Sequence, residues 1–357
     1  MTLLVHHDHS RDDGGDCDVL VRVPARLPRE LELVTRLPGR ARRPPHRDPN
    51  PPESPSGLWT APNLRPNAGT IMAVPDAADA RLPESLERLL RRAVGTPQKP
   101  ITAHGDSHNA HCRATTPAGT AVFVTIFTEQ DYWRRAINAA PVVEPLLRTP
   151  HLLDHGQLDD GHWWATYEWL DLAPFRPDPD SVAQLGRMVG RLHAATAGAT
   201  AGFEAHDLHV EIEARIAALA GLDPAAADRA RALWQRRDRV EFGGPVGVVH
   251  GDLHWRNVGM LDDQVILFDL ENTRAAPPIV DFGKLVDLDE LAEPACRAAL
   301  FAGYETYAAP VWPWPEAMRM VRLWTTCGVL VYALARGLTE FAAHGYRRLA
   351  GLETEAG

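Results

Sequence analysis

The pattern of apolar and polar positions changes character near residue 82. Upstream, stretches such as RARRPPHRDPNPPESPSG show no apolar period and are crowded with proline. Such a segment cannot offset its ordering entropy by burial, so residues 1–75 are expected to be a disordered Pro/Arg-rich tail, with a helical tendency only over Leu27–Leu37. Met72, which opens MAVPDAADARLPESLERLLRRAVG, reads as a native start. From Leu82 to Val94 the apolar residues recur on one side of a helix. Strand-like runs follow at Pro100–His104, His111–Thr115 and Thr120–Phe127, with Gly105 and TTPAGT as turns. Asp131–Ala140 reads as a helix, and His151–His155 and His162–Trp169 as strands. The expected unit over 82–170 is a small, mainly antiparallel sheet with one helix.

Beyond the proline-interrupted segment Asp171–Asp180 the period becomes helical. Leu185, Met188, Val189 and Leu192 fall at i, i+3, i+4 and i+7, and Ile212, Ile216 and Leu219 repeat the pattern. Helices are expected over Ala225–Val240, Lys284–Tyr307 and Pro315–Gly345. The exceptions are two short strands, Val246–Val249 and the VILFD run Val265–Asp269. The fold class is therefore α+β and two-lobed: the sheet lobe over 82–170, then a larger, mainly helical lobe over 171–352 with a β-hairpin insert. Met320–Ala335 is apolar but broken by Arg322 and Gly328, so it reads as a buried helix; a membrane span needs about 20 apolar residues.

Composition narrows the function. The 357 residues carry a net charge of −10 with lysine only at Lys99 and Lys284, which argues against nucleic-acid or anionic-membrane partners. A neutral or cationic small substrate suits this balance. Cys17, Cys112, Cys296 and Cys327 form no metal or disulfide spacing, and the N-terminus lacks a secretory pattern, so a cytoplasmic setting is expected. The histidine-rich HHDHSRDDGGDCD near the N-terminus offers weak metal binding without defined geometry.

His-Gly-Asp occurs twice, at His104–Asp106 and at His250–Asp252. The second copy continues as VVHGDLHWRN, satisfying H-x-D-x-x-x-x-N, and Asp269 follows at the end of an apolar strand. Phosphoryl transfer needs one carboxylate to orient and deprotonate the attacking hydroxyl, here Asp252. It also needs an amide and a second carboxylate to hold Mg²⁺ against the nucleotide phosphates, here Asn257 and Asp269.

With VVHGDLHWRN, VILFDLEN, the upstream LGRMVGRLHAAT helix and the lobe order, the chain resembles the aminoglycoside phosphotransferase family over roughly Pro83–Leu352. The resemblance implies a protein-kinase-like fold that moves the γ-phosphate of ATP or GTP to a hydroxyl of a small molecule such as an aminoglycoside-like antibiotic. It implies Asp252 as base, His250 as the loop brace, Asn257 and Asp269 as Mg²⁺ ligands, and Glu271 as the acidic residue two positions beyond. Asp281-Phe-Gly283 spells a protein-kinase metal motif, yet it lies twice as far from Asn257 as Asp269 does, and the resemblance implies that Asp281 instead braces the loop. Around the first His-Gly-Asp copy, Ser107 and Asn109 are expected at the phosphates, and backbone groups near Glu168–Leu170 at the base. Of the adjacent Trp163 and Trp164, the inward-facing one is expected in the core.

His254 is read as lining the substrate mouth or as an exposed loop histidine. The acidic run with Asp287, Asp289, Glu290 and Glu293 is read as a cation-binding substrate surface or a solvated helix face, and Tyr304, Trp312 and Trp314 as an aromatic wall or as anchors. One departure stands out: Thr125 in AVFVTIF takes the place of the lysine that the resemblance leads one to expect at the phosphates, and its glutamate partner is missing, with only Asn138 and a late Glu144 on offer. Either another cation among Arg113, Arg134 and Arg135, or the metal ions themselves, neutralises the phosphates, or the chain is a pseudokinase binding module.

Overall fold

The computed structural model describes residues 84–101, 109–200, 202–235, 240–287, 291, 293–311 and 315–356, all within the unit Met72–Gly357. The expected tail, the His104–Asp106 copy, Ser107, Asp289, Glu290, Trp312 and Trp314 lie outside the described residues.

Helix α1 (Glu84–Ala93) leads into a five-stranded antiparallel sheet of β1 (Thr96–Ile101), β2 (Ala110–Thr115), β3 (Ala121–Phe127), β4 (Leu152–Gln157) and β5 (Trp163–Glu168), in the order β1-β2-β3-β5-β4. The alternation in β3 sends Val122, Val124 and Ile126 to one face, against Leu90 of α1 and Trp164. Phe127 joins Ala165 and Ala136 of α2 (Gln130–Val143) on the other. Of the two adjacent tryptophans, Trp164 is the core residue, while Trp163 packs half-buried on Trp133 with ring centroids 4.2 Å apart. Strand β1 starts four residues before its expected Pro100. Thr96 and Pro97 already pair with Thr115 and Ala114, and a register shift before Pro100 accommodates the prolines. An edge strand tolerates a residue that cannot donate to the ladder.

The helical lobe begins after β6 (Ala173–Pro174) with α3 (Pro179–Thr196). Asp178 caps α3 by accepting from the backbone N–H groups of Asp180 and Ser181, and the Ser181 hydroxyl reciprocates. Helices α4 (Leu208–Ala220) and α5 (Pro224–Gln235) follow, then β7 (Gly247–Val249), the hairpin β8 (Val258–Leu261) and β9 (Gln264–Leu267), and β10 (Arg274–Ala276), which pairs antiparallel with β7. Both long C-terminal helices expected as single elements are broken in two: α6 (Val280–Asp287) and α7 (Pro294–Glu305), then α8 (Pro315–Arg336) and α9 (Thr339–Ala356). Glu293 and Pro294 form a new N-terminus, the Glu293 carboxylate accepting from the Ala295 N–H. Gly337, at φ +69°, ends α8 in the left-handed region.

α3 and α7 pack backbone to backbone. A Cβ on Gly186 would lie 2.2 Å from the Leu300 carbonyl oxygen, and one on Gly303 equally close to that of Ala183. Leu185, Val189 and Leu192 of α3 join Leu300 and Tyr304 of α7 and Val321 and Trp324 of α8 in one core. Among the described residues no helix is long and apolar enough to cross a membrane, and Cys112, Cys296 and Cys327 are free and buried.

Candidate active site

Strand β7 delivers the loop that starts at His250. Gly251 has φ +79°, and a Cβ there would come 2.2 Å from the Asn272 carbonyl oxygen, so both conformation and space demand glycine. Asp281, 1% exposed at the start of α6, clamps this turn. Its carboxylate accepts from the backbone N–H of Gly251 (2.7 Å) and of His250 (2.9 Å) and bonds His193 Nε2 (3.0 Å). Burial alone would raise this carboxyl, but the hydrogen bond and charge of His193, the nearby His250 and the Gly251 N–H outweigh it and hold it below the usual carboxylate range. His193 Nδ1 shares a 3.1 Å hydrogen bond with the Tyr304 hydroxyl. Tyr304 is thus a buried prop behind the loop and not an aromatic wall.

His250 bridges the loop to the hairpin, with Nε2 2.9 Å from the Phe268 carbonyl and Nδ1 3.2 Å from the Asp252 N–H. Those partners require the neutral tautomer protonated on Nε2. The Asn257 side-chain amide donates to the Asp252 carbonyl at 2.9 Å, and the Phe268 N–H donates to the Asn257 carbonyl at 3.0 Å. Loop and hairpin are thereby stitched side by side. Asp269 leaves β9 at φ +69°, in the left-handed region that aspartate enters more readily than most side chains. It opens to solvent on one side while protein crowds its carboxyl, and that crowding raises the carboxyl despite the opposing field of His250. Glu271, on the short 3₁₀ turn Leu270–Asn272, is pushed up to about 8 by burial and by the charge of Asp269, against the pull of Asn109 and Arg135.

The sheet lobe meets this turn at two points. The Asn109 amide donates to the Glu271 carboxylate and its Oδ1 accepts from the Thr128 N–H at 3.4 Å, while Arg135 of α2 donates to the Glu271 carbonyl at 2.9 Å. Thr125 is buried, with its hydroxyl 3.2 Å from His111 Nδ1. Of the arginines considered as a substitute cation, Arg113 lies over the Trp169 ring at 4.6 Å and Arg134 pairs with Asp131 on the surface. Asn138 is exposed. Glu144 anchors β4 by accepting from the Leu152 N–H at 2.7 Å. At the expected base-binding segment, the Glu168 N–H donates to the His151 carbonyl and the Leu170 carbonyl accepts from the Leu172 N–H.

His254 is not an exposed loop residue. It is 7% exposed, its Nδ1 caps the 3₁₀ turn Trp255–Asn257 by accepting from the Arg256 N–H, and its Nε2 lies 3.8 Å from the Asp252 carboxylate. Burial, and after it the positive charge of Arg256, lowers it to about 3. A short polar ring beside a new turn is drawn in as its cap. Asp287 ends α6, its side chain outside the described residues. Among the described residues no cluster of three His, Cys, Asp or Glu side chains is arranged to hold a metal; of the two expected ligands, Asn257 offers an amide oxygen and Asp269 a carboxylate.

Two contributors escape sequence reading. Lys284, one turn along α6 from Asp281, donates to the Asp252 carboxylate. His193 holds Asp281 from the end of α3, on the same stripe as Leu185, Val189 and Leu192. The only signal for the latter is a polar ring on an apolar helix face, which burial obliges to find a partner.

A model of the phosphotransferase enzyme family matches residues 113–318. No curated protein matches the chain. Among solved structures, the apo form of a thermostable mutant of aminoglycoside phosphotransferase APH(4)-Ia superposes with a TM-score of 0.55 at 14% identity, covering 76% of this chain and 99% of that one. Amicoumacin kinase hAmiN, in complex with AMP-PNP, Ca²⁺ and Ami, gives 0.57 at 15% identity over 78% and 96%. Macrolide 2'-phosphotransferase MphH from Brachybacterium faecium gives 0.50 at 19% over 74% and 96%. At such identities the likeness establishes the fold.

Proposed function

The chain belongs to the phosphotransferase enzyme family, and from that premise we propose that it moves the γ-phosphate of ATP or GTP to a hydroxyl of a small molecule, with Asp252 as the base. The observation that carries the proposal is the stitching of Asp252, Asn257 and Asp269 into one patch by the His250, Asn257 and Phe268 hydrogen bonds. Asp252 accepts the hydroxyl proton as the oxygen attacks in line, and its backbone is held by Asn257 and His250. Asp281 fixes the turn and touches no substrate. Lys284 sets the Asp252 rotamer and brings positive charge to where the phosphoryl group passes.

Asn257 and Asp269 fit a divalent cation such as Mg²⁺. Both offer oxygen, the Asn257 amide spends only its N–H side on Asp252, and a crowded Asp269 beside Glu271 is relieved by added positive charge. Bound there, Mg²⁺ would neutralise phosphate charge. The neighbour that holds AMP-PNP and Ca²⁺ supports this reading. Asn109 and the β1–β2 connection serve the phosphate side, and the Glu168–Leu170 segment the base. The three cysteines among the described residues, all free and buried, suit a reducing, cytoplasmic compartment.

A polycationic acceptor of the aminoglycoside type, suggested by the neighbour solved with hygromycin B, would draw on the acidic run from Asp287 to Glu293. The second reading, a pseudokinase, is favoured by one observation: Thr125 spends its hydroxyl on His111 and brings no charge to the phosphates. Thermal-shift titration with Mg-ATP and Mg-GTP tests the first requirement, since specific binding must stabilise the folded chain. Stabilisation by neither overturns phosphotransfer. Binding with transfer that stops in Asp252→Ala supports it, and binding without transfer in the unsubstituted chain selects the pseudokinase.

A further inference from the structure

Just past the Glu271 turn the chain enters a cluster of three guanidinium groups whose hydrogen-bonded acceptors are neutral: the Asn272 carbonyl and amide oxygen for Arg274, the Trp324 carbonyl for Arg215 and the Glu271 carbonyl for Arg135. Arg274 opens β10 in register with Val249, the residue before His250, and its Nε would lie 3.0 Å from a Cβ on Gly251. It is therefore a direct neighbour of the loop that carries Asp252. Arg215 of α4 lies 3.8 Å over the Trp324 ring and donates to the Trp324 carbonyl at 2.9 Å; Arg274 approaches the same ring at 5.8 Å. Arg135 completes the set from α2. The three guanidinium groups feel one another: burial and then Arg274 lower Arg215 to about 10, and burial and then Arg135 lower Arg274.

Two further donors point to what is missing. Arg274 Nη1 lies 3.4 Å from His206 Nδ1, and since a guanidinium can only donate, that nitrogen accepts and the ring proton sits on Nε2. His206 Nε2 is buried with no hydrogen-bond partner among the described residues, and so is the indole N–H of Trp324. Buried donors are nearly always satisfied. Of the acids nearby, Asp281 and Glu271 act on Arg274 and Arg135 through their charge, but their hydrogen bonds go to the His250–Gly251 turn with His193 and to Asn109. Glu211 stands 3.7 Å from His206 with its side chain 40% exposed, and Glu204 stands 3.9 Å from Arg135 with 76% exposed. Such watery pairs neutralise little. Arg135, Arg215 and Arg274 are each half-buried, so the cluster reaches solvent.

We propose that Arg135, Arg215 and Arg274, with the His206 and Trp324 N–H groups, receive an anionic group of the acceptor, a carboxylate or a phosphate. The acceptor is then an acidic hydroxylated small molecule and not a polycation. Forked guanidinium donors match either oxyanion in a bidentate way, which ammonium groups do not. The anion site stands on its own geometry; only the statement that its ligand is phosphorylated rests on the phosphotransfer reading.

The test uses the full chain and probes matched in size but not in charge. Gluconate and glucose 6-phosphate supply the two anions, glucitol is neutral and glucosamine is cationic. Affinity for each is measured by calorimetry, and Mg-ATP stabilisation of the unsubstituted chain is measured alongside. At least one anion is expected to bind ten-fold or more tighter than glucitol and glucosamine, and whichever binds better assigns carboxylate or phosphate. Arg215→Gln is expected to reduce that affinity at least ten-fold. Because Arg215 packs on Trp324 and its loss can unfold the chain, Arg135→Gln, with Arg135→Lys restoring part of the affinity, gives the same readout from a more exposed side chain. Anions that bind no tighter than glucitol, or tight binding that survives both glutamine substitutions, overturn the proposal. Anion binding without any Mg-ATP stabilisation leaves the site standing and removes phosphotransfer.

Discussion

Replacing Asp281 with asparagine tests the clamp on the candidate catalytic loop most directly. The native carboxylate takes three hydrogen bonds, at 2.7, 2.9 and 3.0 Å, in a site 1% exposed. Asparagine keeps one acceptor and turns an N–H₂ group towards donors, so about two charge-assisted bonds go at roughly 1.5–3 kcal/mol each. A destabilisation of about 4 kcal/mol follows, within the usual range for breaking a buried charged network. For a domain of this size that is a fall of about 10 °C in melting temperature. Urea denaturation and thermal melts of Asp281→Asn against the unsubstituted chain read the loss. The pH profile adds a sign. The folded-state pKa of Asp281 is held below its unfolded value, so its contribution is complete above about pH 4 and is lost as pH falls through the folded value. The gap between the two proteins must therefore narrow in acid. A loss below about 1 kcal/mol at neutral pH, or a gap that widens in acid, would refute the clamp.

Asp252→Asn should leave the fold and nucleotide binding intact while reducing transfer by about 10³-fold or more in a coupled assay of nucleoside diphosphate release. Lys284→Met should lower kcat by about 10²-fold with little change in the KM for nucleotide, as expected when a positioned charge contact is lost; an unchanged kcat would remove Lys284 from the site. Gly303→Ala should destabilise the helical lobe by about 1–3 kcal/mol, because its Cβ would sit 2.2 Å from the Ala183 carbonyl and force α3 and α7 apart. Asn109→Ala should lower stability by about 1–3 kcal/mol without ligand, because the buried amide holds the Glu271 carboxylate, and should in addition weaken Mg-ATP stabilisation several-fold, since Glu271 borders the Asp269 turn.

What the sequence could and could not reveal follows from range. Strands β2, β3 and β5 announce themselves because their residues alternate between two filled faces, a property of neighbours in sequence. Asp252, Asn257 and Asp269 are readable together because a short hairpin links them and leaves their juxtaposition little freedom. The breaks at Glu293–Pro294 and Gly337 are local as well, but periodicity that continues on both sides of a break hides it. His254 reads as a loop residue and is found buried, because its surroundings are made by partners it meets only after the loop closes. Lys284, His193 and the arginine cluster depend on elements far apart in the chain, and no short-range pattern marks an α6 lysine as the neighbour of Asp252.

The replacement of the β3 lysine by Thr125 looks different once the lobes are joined. In the pattern that the family resemblance leads one to expect, a lysine–glutamate pair ties sheet, helix and phosphates together. Here the ties run to the hairpin: Asn109 from the β1–β2 connection holds the Glu271 carboxylate, and Arg135 from α2 holds its carbonyl. Both reach the residue two positions beyond Asp269, so the sheet lobe is coupled to the candidate metal turn without a lysine in between. The positive charge that the lysine would have carried reappears on α6, where Lys284 meets Asp252. A chain that had merely lost function would have no reason to anchor both lobes on Glu271 and keep a cation on Asp252, and this arrangement weighs for an active enzyme over a pseudokinase.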